Sequence, residues 1–284
     1  MFIIIGSVLV FLGIIVGMIM GNGNPLNLIV PSEFVVLGGA SIGSLIIMTN
    51  GMDEFKKVIN TILGTLKAQH SSKSDFLELL KAFNDLFLIA QRDGLIAIEK
   101  HIEAPEQSEI LSRNKKFISN EFYRSFFCDT MRVMLSGGVP PHEIEALMDS
   151  EIETFENERK PIIGYIQTLA DAFPGLGIVA AVLGVINTMG IIDRGAAEVG
   201  MSVAHALTGT FLGVLMSYGI IGPIGKVAEH QMEHEVRYLE TIKACLVAYA
   251  KGNPPIIAVE IARRTISSDH RPSFSELENY IRGK

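Results

Sequence analysis

Residues 2–20 read FIIIGSVLVFLGIIVGMIM, 19 positions without a single charge. A helix rises about 1.5 Å per residue, so such a run spans the hydrocarbon core of a bilayer, which takes roughly 20 apolar residues. Its apolar core exceeds the ~7–15 residues of a signal peptide, and it has no basic flank or small-x-small cleavage site, so it reads as a retained helix. Three further runs follow the same pattern. Residues 34–52 are uncharged between Glu33 and Asp53, residues 172–192 between Asp171 and Asp193, and residues 199–225 carry only His205 between Glu198 and Lys226.

Composition agrees with a chain solvated partly by lipid. Of 284 residues, 48% are hydrophobic and 19% charged, where a soluble domain carries about 25% charge. The net charge of −7 gives no basic footprint, so nucleic acid is not an expected partner. Cys128 and Cys245 have neither zinc-site nor disulfide-framework spacing. No nucleophile constellation, phosphate loop or metal-ligand cluster occurs, so neither an enzyme nor a cofactor or metal is expected. A solute transporter would need paired polar interruptions near the bilayer midplane, and none is present.

Loop charge sets the expected orientation. Of 24 Lys and Arg residues, 14 lie in 53–160 and 9 after residue 225, while 21–33 has none and 193–198 only Arg194. The positive-inside rule places both termini and the long middle segment in the cytoplasm. The expected fold class is an all-α membrane protein of the bacterial inner membrane. It has four transmembrane helices and a helical cytoplasmic domain between helices 2 and 3. The expected divisions are 1–52 (helices 1 and 2), 53–160 (cytoplasmic domain), 161–226 (helices 3 and 4) and 227–284 (cytoplasmic tail). Within the cytoplasmic parts, Phe76, Leu79, Leu80, Phe83, Leu86, Phe87 and Ala90 form a helical stripe behind a Ser74 cap. Residues 121–135 and 142–159 read as helix, broken apart by Gly137, Gly138, Pro140 and Pro141. Ser273 and Glu276 form a capping-box pair.

All four spans carry small residues four apart: Gly13, Gly17 and Gly21; Gly39 and Gly43; Gly177 with Ala181 and Ala180 with Gly184; Gly209, Gly213 and Ser217. These faces let helix backbones approach closely, within one chain or between copies of it, and their number predicts a homo-oligomer. An ion-coupled membrane protein needs a titratable or coordinating group within the bilayer. Here no Asp or Glu lies in the middle of a span, so an ion path would need a carboxylate from another chain. Pro174 and Pro223 sit at matching inner-end positions and read as structural kinks or as hinges. His205 reads as a packing residue or a proton relay.

Several blocks resemble one family. PSEFVVLGGASIGS at 31–44, EIEALMDSEIET at 143–154, FPGLGIVAAVLGVINTMG at 173–190, HALTGTFLGVLMSYGIIGP at 205–223, NPPIIAVEIARRT at 253–265 and RPSFSELE at 271–278 are similar to MotA, the A subunits of bacterial flagellar stators. The resemblance covers essentially the whole chain. It implies a pentamer of A subunits around a dimer of a MotB-like subunit, whose membrane helix carries the ion-binding aspartate and which anchors to peptidoglycan. It also implies contact with the rotor protein FliG and conversion of ion flow into torque. By resemblance, Pro174 and Pro223 couple ion passage to conformational change, and Thr210 faces the ion path. Sodium-driven relatives place a third-span threonine where this chain has Ala181. Losing that oxygen, a ligand suited to a hard cation, leads to an expectation of proton coupling. For the rotor contact the family has an acidic residue five positions after a glycine, matched by Glu99 after Gly94. Its basic residue three before that glycine is matched by Gln91, with Arg92 displaced by one position. Glu151 matches a further acidic position. The alternative is an ExbB/TolQ-like energiser of envelope processes, whose subunits have three spans and lack the RPSFSELE tail.

Overall fold

The computed structural model describes residues 2–67 and 71–283, and every regular element among them is helical. The helices are α1 (Phe2–Met20), α2 (Pro31–Met48), α3 (Met52–Lys67), α4 (Lys73–Asp93), α5 (Glu99–Glu103), α6 (Lys115–Ser119), α7 (Glu121–Ser136), α8 (Pro141–Met189), α9 (Ala196–Val214), α10 (Gly222–Ala250), α11 (Pro255–Thr265) and α12 (Phe274–Ile281). A π-helical segment, Leu215–Ile221, joins α9 to α10. Four helical stretches are long and apolar enough to cross a membrane: Phe2–Met20, Pro25–Met48, Pro141–Met189 and Ala196–Ala250. The chain is a multi-pass membrane protein.

It folds as two compact units, one of residues 1–68 and 158–231 and the other of 69–157 and 232–284. The division differs from the sequence-based one at 53–160 and 227–284. Helix α3 belongs with the membrane-spanning unit, and most of the expected tail shares a core with the middle segment.

In the membrane-spanning unit, α1 has no buried residue, because its apolar side chains face outward in the way a lipid solvent permits. Packing concentrates between α8 and α9, where small residues remove the side chains that would hold backbones apart. A Cβ added at Gly177 would lie 2.8 Å from the Gly209 carbonyl and 3.1 Å from Gly213 Cα; one at Gly184 would lie 2.6 Å from Ala206 Cβ. By contrast Gly13, Gly17, Gly39 and Gly43 have nothing within 4 Å of such a position, so these small-residue faces stay open in the single chain.

The second unit is built around an aromatic and aliphatic core. Phe83 stacks on Phe127 with ring centroids 4.5 Å apart, Phe87 on Tyr249 at 4.0 Å, and Tyr123 on Tyr238 at 4.5 Å. Cys128 and Cys245 are both buried free thiols in this core. The cap of α4 is Ser72 in a capping box with Asp75, two residues before the expected Ser74. The Ser273–Glu276 capping box starts α12. Glu276 also pairs with Lys73 at 2.6 Å, and Lys81 Nζ donates to the Ile281 carbonyl at 2.9 Å, so α12 is tied to α4 at both of its ends.

Candidate ion-pathway and coupling site

The α8–α9 crossing brings together two of the residues singled out from sequence. Thr210 Oγ1 donates to the Gly177 carbonyl at 3.4 Å, and a Cβ at Gly209 would lie 3.1 Å from the Ala181 amide nitrogen. Ala181 and Thr210 are both partly exposed. Nearer the outer end, Thr188 is fully buried; its hydroxyl lies 2.8 Å from the Gly184 carbonyl and 2.7 Å from Ser202 Oγ.

Glu33, in the first turn of α2, also reaches this crossing. It is 5% exposed, and its Oε2 lies where a Cβ on Gly209 would stand, with no hydrogen-bond partner among the described residues. A polar atom buried without a partner is costly, and such atoms mark unfilled or functional positions. From sequence Glu33 looked like an end-of-span charge. The small side of α9 that admits it is the only signal that could have found it, and that signal carries no address.

The two prolines loosen helices at neighbouring points. Proline lacks an N–H, so Pro174 in α8 leaves the Ala170 carbonyl without its helical donor, and Pro223 in α10 withdraws a donor from the turn that precedes it. Ala170 packs next to Gly222, whose added Cβ would lie 4.0 Å from Ala170 Cβ. At Pro223 the ladder has shifted to π bonding: the Gly222 N–H donates to the Ser217 carbonyl, five residues back. Such segments recur at functional sites in helices. The two weak points therefore adjoin, which the sequence could not show.

Arg92, Glu99 and Glu151 lie in the other unit. Helix α4 ends at Gly94, whose φ of +88° is open to glycine and strained for other residues. Arg92, in the last turn, pairs in a bidentate manner with its neighbour Asp93 at 2.6 and 2.9 Å, not with Glu99. Glu99 opens α5 and is exposed. Helix α5 is tied to α7 by Glu103 and Arg132 at 2.8 Å, and Arg132 also holds Asp129 at 2.6 Å. Burial, reinforced by the negative charge of Asp129, pushes the Glu151 carboxyl up. Glu151 thus neighbours an exposed ion-pair network, and Glu99 stands one turn before its Glu103 on α5. Among the described residues no cluster of His, Cys, Asp and Glu could hold a metal ion.

Known proteins share this arrangement. Residues 4–94 match the Motility protein A N-terminal family, and residues 118–241 the MotA/TolQ/ExbB proton channel family. The chain is 36% identical over 289 aligned residues to Motility protein A of Salmonella typhimurium, covering 99% of this chain and 95% of the relative.

This chain belongs to the Motility protein A family.

The chemotaxis protein LafT of Vibrio parahaemolyticus is 35% identical, with 88% of each chain covered. Two solved structures share the Motility protein A fold. The C. jejuni MotAB structure has a TM-score of 0.79 at 24% identity, covering 96% of this chain and 98% of the other. The flagellar MotAB stator complex from Bacillus subtilis has a TM-score of 0.71 at 22% identity, covering 90% and 92%. The family thus supplies a channel-type function to a chain whose spans carry acidic residues at their ends, with Glu33 reaching the α8–α9 crossing from the first turn of α2.

Proposed function

We propose that this chain is the A-type subunit of a flagellar stator, which joins a MotB-like subunit to form a proton channel that drives rotation. The observation that carries this reading is the α8–α9 crossing. Its partly exposed side offers Ala181 and Thr210 to a neighbouring helix, while the acidic side chain that reaches it, Glu33, comes from the first turn of α2. The partner helix supplies the proton-carrying carboxylate, and Glu33 adds a polar group beside Gly209 and Ala181 at the same crossing. The open glycine faces of α1 and α2 support close packing between copies, with five A subunits around two B subunits. The A-type subunits sit in the bacterial inner membrane with both termini in the cytoplasm, as the charge distribution favours.

Proton passage is coupled to movement where the proline-loosened turns at Ala170 and Gly222 adjoin. One charge crossing the membrane is worth about 2.3 kcal/mol per 100 mV, enough to repack a turn of helix. Arg92, Glu99 and Glu151 then engage the rotor protein FliG. Exposed charge pairs are each worth roughly 0.2–1 kcal/mol, which suits a contact made and released at every step. The subunit conducts and pushes, with no catalytic step.

The test is purification with the product of the neighbouring partner gene, subunit counting by native mass, and proton flux in vesicles. A five-to-two complex that conducts only with the partner present is the expected result. Motor-rate conduction by this chain alone overturns the reading.

A further inference from the structure

Ser108 is buried at the end of the segment that follows α5, and its hydroxyl is fully committed. The Ile110 and Leu111 amides donate to its oxygen at 3.3 and 3.1 Å. Both acceptor sites of the oxygen are thereby used, so its one hydrogen points to the remaining neighbour, His101 Nδ1, at 2.8 Å. His101 is itself buried, 8% exposed. Nδ1 must therefore be an unprotonated acceptor, and the ring is the neutral Nε2–H tautomer. A proton on Nδ1 would set a donor against a donor. The hydroxyl could then accept from His101 only by releasing one of the two amides, which lies in a buried turn.

That turn belongs to the acidic segment proposed to meet the rotor. Glu99 opens the helix on which His101 sits. Glu103, two residues after His101, pairs with Arg132 of α7, and Glu106, two before Ser108, pairs with Arg124 of α7 at 2.5 Å. The His101–Ser108 contact closes a loop that carries both Glu103 and Glu106. We propose that His101 is a pH-sensitive positioning residue, which holds the Glu99–Glu106 segment in place while neutral and releases it when the cytoplasm acidifies.

The charged surroundings favour the neutral ring. Burial is the main cause that holds the His101 pKa below its usual value, and Lys100 acts in the same direction while Glu109 opposes them. On α7, the neighbouring charged groups Arg124, Asp129 and Arg132 are engaged in ion pairs, and the Cys128 thiol is pushed up to about 11 by burial. A histidine whose folded pKa lies below its unfolded value of about 6.5 contributes stability that is present above that pH and lost as the pH falls below it. Protons delivered by the channel would thus weaken the segment that receives the resulting force.

The inference rests on the stator reading only for its effect on rotation. The test uses the purified complex with its partner subunit, and follows hydrogen exchange at the Ile110 and Leu111 amides from pH 7.5 to 5.5, corrected for intrinsic rate. Wild type is expected to lose protection several-fold, up to about tenfold, as pH falls. His101→Asn, whose carbonyl can accept the Ser108 proton at any pH, should match wild type at pH 7.5 and stay flat. Ser108→Ala, with no hydroxyl to position, should start at a lower level at pH 7.5 and lose less protection than wild type as pH falls, and serves if the asparagine variant does not fold. In tethered cells whose internal pH is set by a weak acid, the smaller proton gradient slows both wild type and His101→Asn, and wild-type rotation should slow more steeply toward pH 6 than that of the variant. Equal pH profiles in wild type and His101→Asn, by exchange or by rotation, overturn the proposal. Normal swimming in cells lacking this chain would instead overturn the stator reading and leave the exchange result standing.

Discussion

Gly177 and Gly39 look alike as residues yet stand in opposite surroundings. An added methyl at Gly177 meets backbone of α9 at 2.8 Å, which cannot swing aside, whereas at Gly39 it meets nothing within 4 Å. Gly177→Ala is therefore expected to cost about 1–3 kcal/mol of stability, the usual range for overpacking. Gly39→Ala should leave the melting of the separated subunit unchanged, and thermal unfolding in detergent compares the two. Glu33 gives a second expectation at this scale. Glu33→Gln preserves shape and removes the charge, so subunit assembly should persist while proton flux in vesicles falls several-fold; unchanged flux would remove Glu33 from the path. Of these residues, the glycine spacing was legible in sequence, since four-residue periodicity is a local signal. Which spacing is used inside the chain was not legible, because that depends on which helix lies opposite.

At the scale of elements, the π segment Leu215–Ile221 is the clearest departure from a pattern-based reading. Its sequence, LMSYGII, is mostly apolar, and the poor helix former Gly219 and the nearby Pro223 are the local marks of the place. Pro223→Ala restores an N–H donor and allows the α ladder to close. The expected outcome is a complex that assembles and fails to turn the rotor, measured by tethered-cell rotation alongside native mass. The cap of α4 teaches a smaller lesson: Ser72 and Ser74 both precede the apolar stripe, and reciprocal bonding with Asp75 selects Ser72. The box at Ser273 and Glu276 was readable because its partners lie three residues apart. Its tie to Lys73 was not, being 203 positions away in sequence. That tie has a pH signature. The Lys73 ammonium, then the Ser273 bonds, hold the Glu276 carboxyl at about 2, below its usual 4.5. Its contribution is present above about pH 4.5 and fades as pH falls toward 2. Proteolysis at the C-terminal end should accelerate across that window, and Glu276→Gln should remove the pH dependence.

For the whole molecule, the four spans and the helical class followed from charge and length alone, because lipid permits few backbone solutions. The union of residues 232–284 with 69–157 did not follow, since a core assembled from distant segments leaves no mark in either one. Ion selectivity is a property of the assembled complex. With Ala181 in place of a third-span hydroxyl, swimming speed should be independent of external sodium at constant membrane potential. Ala181→Thr tests whether one oxygen ligand suffices to confer sodium dependence. A native motor that stops without sodium would contradict proton coupling.

Both thiols of the chain lie inside the second unit, where burial pushes Cys128 up to about 11 and Cys245 higher still. Since the thiolate is the reactive form, maleimides at neutral pH have almost nothing native to modify. Ile96, 80% exposed beside Glu99, accepts a new cysteine without crowding. A dye attached there would report rotor engagement on an otherwise silent wild-type background, with no need to strip the chain of its own sulfhydryls.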